Sequence, residues 1–424
     1  MSEAGFQPTR IEPFGRKATA FFQRPVEEDA LLNILVGAIR SSKTWAVSAK
    51  LLILLRSGWW PGGTGLITGN KKTSIKTNLL NDVFAIVGKK RYKYNSASGE
   101  LILLGRPFLV CGANDESSWK AISGSTVGLW IADEVTLYPE SFFDMAVSRL
   151  SLPQSRMYGT CNPASPYHFL KKKWLENKEL IAKGDIWTDH FTLDDNPNIV
   201  ASRKDGYRRM YTGVFYQRNI MGLWVIAEGA IYRDCLTEEN YYTDETRPIG
   251  LTGQGGYVER TVSVDYGTGN AMVFGDIYDD GQVCWLEREY YWDSRKEMRQ
   301  KTDREYADDL VEFLGTDLRK WPIIIVDPSA ASFKAELRSR NIVVLDGKND
   351  VENGIRRVST MLARKMLRIH KVNCPNTVRE LGTYAWNKKQ LENGKEEPSK
   401  INDHSCDMCR YFVETKINDW RLAA

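Results

Sequence analysis

The apolar positions of this chain follow two different rhythms. In the first half, short unbroken apolar runs alternate with stretches of helical spacing. Residues 31–36 form such a run, and after a polar loop a helix-length stretch follows at 45–55. Residues 65–68 precede a second helical stretch at 74–87, and further strand-like runs stand at 127–132 and 156–160. An unbroken run of this length suits a strand buried on both faces, and strands alternating with helices predict a parallel sheet. Residues 101–104 and 107–110, separated by Gly105-Arg106, predict a hairpin. Residues 165–225 read as helical and basic, with Trp and Tyr interspersed.

The second half begins differently. Residues 260–265, 271–278 and 283–291 are three successive strand candidates joined by short turns, which makes them antiparallel neighbours. A helix is expected at 303–314, a very apolar strand at 323–327, a short strand at 343–345, and a helix at 351–362. The last helix opens within 402–411, and the Gly-rich stretch 250–256 marks a boundary. The expected fold is therefore α/β in two parts. Residues 1–225 would form a domain with a mainly parallel sheet, 226–256 a linker, and 257–424 a domain with a mixed sheet.

Composition narrows this picture. A chain of 424 residues is too long for one core. Its 42% hydrophobic and 26% charged content is that of a soluble globular protein. No apolar run approaches the roughly 20 residues a membrane span needs, and Met1-Ser2-Glu3-Ala4 lacks a secretory layout. Seven scattered cysteines, an odd number, argue against a disulfide framework and for a reducing compartment. A net charge of +4 permits a nucleic-acid partner without requiring one. Basic clusters at 89–91, 171–173, 208–209 and 356–357 suit either a phosphate track or a solvated face.

The loop after the first strand, Gly37-Ala38-Ile39-Arg40-Ser41-Ser42-Lys43-Thr44, carries the first chemistry. Strand, polar loop ending in Lys-Thr, then helix is the context of a phosphate-binding loop. The loop amides hold anionic oxygens, Lys43 adds a point charge, and the Thr44 hydroxyl reaches Mg²⁺. Ser42 stands where the strict pattern has Gly, at a cost of about 1 kcal/mol if its backbone is left-handed. Asp133-Glu134 ends a later apolar strand. In a phosphate-loop NTPase the first carboxylate holds the magnesium shell and the second activates water. Thr160-Cys161-Asn162-Pro163 ends another strand. Asn162 could sense the γ-phosphate or simply make an Asn-Pro turn. Arg40, Arg149 and Lys120 are candidates for a transition-state cation, and the sequence does not choose among them. Phe21-Phe22-Gln23, ahead of the first strand, could stack on an adenine or latch onto the domain.

A second set of carboxylates lies in the second half. Asp265 ends its first strand, Asp327 ends its fourth, and Asp403 and Asp407 share one face of the last helix. Such carboxylates can converge on two divalent metals that activate water and stabilise a leaving phosphodiester oxygen. Hard oxygen ligands suit Mg²⁺ or Mn²⁺, with His404 as an assisting group. Cys406 and Cys409, with no second pair nearby, suit helix packing better than zinc.

Taken in order, these motifs resemble the large terminase subunit of tailed bacteriophages, the motor that packages viral DNA, over roughly residues 30–415. The resemblance implies a phosphate-loop NTPase domain followed by a ribonuclease H-like nuclease domain. It makes 37–44 the family's deviant phosphate loop, with Arg40 a candidate for sensing or stabilising the γ-phosphate. It makes 160–163 the motif coupling hydrolysis to movement and Glu228-Gly229-Ala230-Ile231-Tyr232 the joining segment. Among the nuclease carboxylates it favours Asp407 as the direct ligand, with Asp403 as the alternative. It implies ATP and Mg²⁺, with Mn²⁺ able to serve the nuclease. It further implies double-stranded DNA, the portal protein of the procapsid, a small terminase subunit and a homo-oligomeric ring as partners. The expected place is the host cytoplasm, outside the mature virion and away from membranes. The competing reading is a DNA repair or helicase-type ATPase fused to a nuclease. Such enzymes usually carry two motor domains, and this chain has room for one.

Overall fold

The computed structural model describes residues 14–248, 259–315, 322–393 and 395–423. Met1–Ala4 and the proposed boundary at 250–256 lie outside those residues. Two compact units form, one from Met1–Lys204, Tyr216–Ile226 and Glu392–Lys395, the other from Asp205–Phe215, Ala227–Leu391 and Glu396–Ala424.

The first unit is built on β1 (Leu32–Gly37), β2 (Thr64–Gly69), β3 (Tyr92–Tyr94), β4 (Glu100–Leu103), β5 (Arg106–Gly112), β6 (Val127–Ala132), β7 (Arg156–Cys161) and β8 (Ile186–Phe191). They form one sheet in the order β3-β4-β5-β2-β6-β7-β1-β8. All neighbours from β5 to β8 are parallel, and β3-β4-β5 is an antiparallel edge. β1 and β6 are buried along their whole length, which is why their sequences lack alternation. Apolar clusters lie on both faces of this sheet. β1 sits beside β7 rather than β2, so the phosphate-type loop and the ends of β6 and β7 share one edge. Ligands bind at such a crevice in open α/β sheets.

The expectation that 165–225 is wholly helical is corrected by β8. Its ends, Ile186 and Phe191, are inside while Thr188 and His190 are exposed, so polar residues interrupt the apolar signal. The segment at Phe21 is a latch: Phe21 is buried against Tyr158 and stacks on Trp187, 5.8 Å between ring centroids.

The second unit holds β9 (Tyr241–Tyr242), β10 (Glu259–Asp265), β11 (Ala271–Asp279), β12 (Cys284–Asp293), β13 (Ile323–Val326), β14 (Val344–Asp346) and β15 (Leu367–His370). Their order is β14-β13-β10-β11-β12-β15-β9. β10, β11 and β12 are an antiparallel meander, and β13 joins β10 in parallel. The sheet is therefore mixed, as expected. The His404–Lys416 helix packs on it. Gly275 makes room, because a Cβ there would stand 2.4 Å from the Met408 sulfur. The Ser263 hydroxyl donates to the Met408 carbonyl at 2.8 Å. All seven cysteines are buried and unpaired. Among the described residues no helix is long and apolar enough to cross a membrane.

Candidate functional site

The loop after β1 is shaped by its backbone. Gly37 has φ 151°, and a Cβ there would lie 1.9 Å from the Phe191 carbonyl oxygen. The Ala38 amide donates to that oxygen and the Ile39 amide to the Asn219 carbonyl, each at 2.8 Å. Arg40 and Ser42 are both left-handed, at φ 55° and 68°. Ser42 thus adopts the conformation for which Gly is the usual choice, and its hydroxyl is occupied by the Ser41 carbonyl at 2.6 Å. The Ser41 hydroxyl donates to the Ala38 carbonyl at 2.7 Å. The Arg40 carbonyl is fixed by the Asn196 side-chain amide, while the Arg40 residue itself is exposed.

Lys43 opens the helix Lys43–Arg56 and is only 6% exposed. Its ammonium is folded back into the loop. It donates to the Gly37 and Ala38 carbonyls, to Ser41 Oγ at 3.1 Å and to Asn162 Oδ1 at 3.1 Å. Burial pulls the ammonium down from 10.5 to about 8, against the opposing pull of Cys161, Asp133 and Glu134. Next to it, Asp133 Oδ1 accepts from Thr44 Oγ1 at 2.9 Å and from Thr160 Oγ1 at 2.8 Å. The Thr160 oxygen in turn accepts the Glu134 amide at 3.0 Å. Glu134 is left-handed, at φ 56°. Burial, then the Asp133 charge, holds its carboxyl above the usual range, and Lys43 opposes them. One hydrogen-bonded chain therefore runs from the loop threonine through Asp133 and Thr160 to the Glu134 backbone. A second joins Lys43 to Asn162, so Asn162 does more than make a turn.

The other two cation candidates make no hydrogen bond to the loop, Asp133 or Glu134 among the described residues. Arg149 ends the helix Glu140–Arg149 and donates to Ser148. Lys120 is exposed in the 3₁₀ turn Ser118–Ile122.

In the second unit, Asp265, Asp327, Asp403, His404, Asp407 and Lys400 line one cavity of about 670 Å³. Parallel pairing of β10 with β13 brings Asp265 beside Asp327. His404 Nδ1 meets Asp265 Oδ2 at 3.0 Å. Burial, then the Asp407 and Asp327 charges, lifts Asp265 to about 7 against the His404 bond. Burial alone would lower the imidazole, but Asp265, with Asp403 and Glu380 near, leaves it raised. Asp327 Oδ1 accepts the Ser329 amide at 2.8 Å. Asp407 Oδ1 accepts from Arg410 at 2.9 Å, and Arg410 also donates to Asn349.

Asp403 stands at the N-cap position of its helix yet makes no capping hydrogen bond. Its buried Oδ2 has no hydrogen-bond partner, only Lys400 Nζ within ion-pair range at 3.2 Å. A buried carboxylate oxygen held only by an ion pair, mutual repulsion that lifts Asp265, and an all-oxygen donor set fit a hard divalent cation. Among the described residues, however, no three His, Cys, Asp or Glu side chains stand close enough to hold one ion as they are placed. His404 holds Asp265, and Lys400 with Arg410 holds Asp407, so closing on an ion requires these side chains to turn.

Several residues here carry no sequence signal of their own. Glu380 is fully buried; it accepts Tyr291 Oη at 2.6 Å and the Ser405 amide at 2.7 Å. It thereby fixes both a cavity-lining tyrosine and the start of the helix bearing His404 and Asp407. Lys400 and Arg410 belong to the same group. Only the fold brings them to the carboxylates.

A family model described as phage terminase large subunit matches residues 29–219, the stretch that carries the loop, Asp133-Glu134 and β7. No curated protein matches the chain. Among solved structures, the large terminase from a thermophilic bacteriophage is 35% identical over 96% of this chain and 100% of that one, with a TM-score of 0.81. The same phage protein in complex with ADP matches at 35% identity over 95% and 100%, TM-score 0.81. Its complex with ATP-γ-S matches at 34% over 96% and 100%, TM-score 0.80. The likeness runs through both units, over the same residues that build the loop site and the acidic cavity: the chain belongs to the large terminase subunits of phages.

Proposed function

We propose that this chain is an ATP-driven motor that moves double-stranded DNA into a procapsid and cuts concatemeric DNA with a metal-dependent nuclease. The observation that carries the motor half is the chain Thr44–Asp133–Thr160–Glu134, with Lys43 on Asn162. The ADP and ATP-γ-S complexes of the thermophilic phage terminase support nucleotide at this loop. The amides from Gly37 to Thr44 and the Lys43 ammonium would hold the phosphates, with Ser41 and Ser42 shaping the loop and Arg40 reaching over it. Mg²⁺, when bound with ATP, would draw charge from the β- and γ-phosphates, and Thr44 and Asp133 would hold it. Glu134, lifted by burial, is a better base than a solvated carboxylate and would take the proton of the attacking water. Lys43 cannot turn toward a γ-phosphate without weakening its bond to Asn162. Asn162 directly follows β7, which carries Thr160, so hydrolysis would be felt along that strand. Arg149 or Lys120, neither of which hydrogen-bonds to the loop site among the described residues, would serve as the transition-state cation of a neighbouring copy in a ring.

In the second unit, Asp265, Asp327 and Asp407, with Asp403 beside them, would hold Mg²⁺ or Mn²⁺, which supplies the Lewis acidity for phosphodiester hydrolysis. His404, bonded to Asp265, would keep that carboxylate turned into the cavity. Contacts would go to phosphates rather than base edges, so DNA binding should be salt-sensitive and weakly sequence-selective. The portal protein, a small terminase subunit and further copies of this chain complete the machine in the host cytoplasm.

Two substitutions test the division of labour. Lys43→Ala should abolish ATP hydrolysis and packaging while plasmid cleavage with Mn²⁺ continues. Asp265→Asn should do the reverse. Loss of both activities in either folded variant would refute the two-site reading.

A further inference from the structure

Lys400 stands at the mouth of the acidic cavity. Its side chain is 64% exposed, while those of Asp403 and Asp407 are 6% and 12% exposed. Its ammonium lies 3.2 Å from Asp403 Oδ2 and 3.3 Å from Asp407 Oδ2. Asp407 thus has two cationic partners of different character. Arg410, with a side chain 2% exposed, holds Oδ1 and is itself pinned by Asn349. A planar, buried, doubly anchored guanidinium is a fixed partner. An ammonium on a flexible stem, mostly in water and strongly hydrated, can leave at little cost.

We propose that Lys400 is a built-in counter-cation that competes with divalent metal for Asp403 and Asp407, and so sets the metal concentration at which the cavity loads. The proposal rests on reading the cavity as the metal-dependent nuclease site. The two carboxylates are four residues apart on one helix face and are nearly stripped of water, so they repel unless a cation sits between them. Lys400 is the cation that does so here. Neither carboxylate can offer its Oδ2 fully to a metal while the ammonium is paired with it. Lys400 is the one cation that lies against Asp403 Oδ2 among the described residues. Arg410 does not obstruct the exchange, because it occupies the other oxygen of Asp407. The ion pair and the metal are therefore alternative occupants of the same oxygens, and loading is an exchange of cations rather than the filling of a bare anionic pocket.

The test is calorimetric titration of Mn²⁺ into the full-length protein without nucleotide or DNA, for wild type, Lys400→Gln and Lys400→Arg. Removing one charge at this distance should tighten Mn²⁺ binding by about tenfold in Lys400→Gln, and Lys400→Arg should stay near wild type. In chelator, the thermal midpoint of Lys400→Gln should fall below that of wild type, and saturating Mn²⁺ should reverse the order. Unchanged or weaker Mn²⁺ binding by Lys400→Gln would overturn the proposal alone, as would equal tightening in Lys400→Arg. No Mn²⁺ binding by any of the three folded proteins would overturn it together with the nuclease-site reading.

Discussion

Nucleotide binding should feel the pH of the medium through Lys43. Its ammonium is held by loop carbonyls and Asn162 at 6% exposure, and burial brings it down from 10.5 to about 8. About one-tenth of Lys43 is then neutral at pH 7 and about nine-tenths at pH 9. Nucleotide phosphates return opposite charge to the ammonium and lift it again. Affinity should therefore follow the charged fraction and weaken about tenfold from pH 7 to pH 9, or ~1.4 kcal/mol. Near pH 8 about half a proton should be taken up per nucleotide bound. The sign for stability is the opposite. The folded group is depressed below its unfolded value, so below about 8 both states are charged and the folded state bears the full burial cost. Between about 8 and 10.5 the unfolded chain binds more protons, and this group's contribution to stability rises with pH by about 3 kcal/mol in total. The assay is titration with ATP-γ-S and Mg²⁺ across this range in two buffers of different ionisation heat. Lys43→Arg, which stays charged, should lose the pH step. A flat affinity from pH 7 to pH 9, or a step that survives in Lys43→Arg, would refute the reasoning.

Three further outcomes follow from the geometry. Thr160→Val removes the donor to Asp133 and leaves the Glu134 amide without its acceptor, at a cost of about 1–3 kcal/mol; ATP turnover should fall while Mn²⁺-dependent plasmid cleavage is kept, and turnover at wild-type rate would contradict the chain of bonds. Asp265 is lifted from 3.8 to about 7, so it is protonated when folded where the unfolded chain is ionised, and its contribution to stability is lost as pH rises between those values. Asp265→Asn should consequently abolish cleavage yet raise the thermal midpoint in chelator at pH 8, and a lowered midpoint would count against it. Glu380→Gln keeps an acceptor for the Ser405 amide and a partner for Tyr291, whereas Glu380→Ala orphans both; Mn²⁺ affinity should be nearly kept in the first and weakened in the second, and equal losses would exclude a positioning role.

The sequence alone determined the elements whose chemistry is local. β1 and β6 are unbroken or nearly unbroken apolar runs, β10 alternates Val262 and Val264 with polar residues, and each delivers its functional residues at its own end: Gly37–Thr44, Asp133-Glu134 and Asp265. A phosphate loop is legible because strand, loop and helix N-terminus are contiguous in the chain. The tertiary structure decided whatever depends on distant segments meeting. β8 was hidden because an alternating strand with Thr188, Asp189 and His190 has too weak an apolar signal against its helical surroundings. Glu380, Lys400 and Arg410 are ordinary charged residues in sequence, and only packing makes one a buried anchor and the others partners of Asp407. Asp403 occupies the N-cap position of its helix, yet its carboxylate makes no capping bond and lines the acidic cavity instead. Side-chain hydrogen bonding is chosen among all neighbours in space, and sequence order names only a few of them.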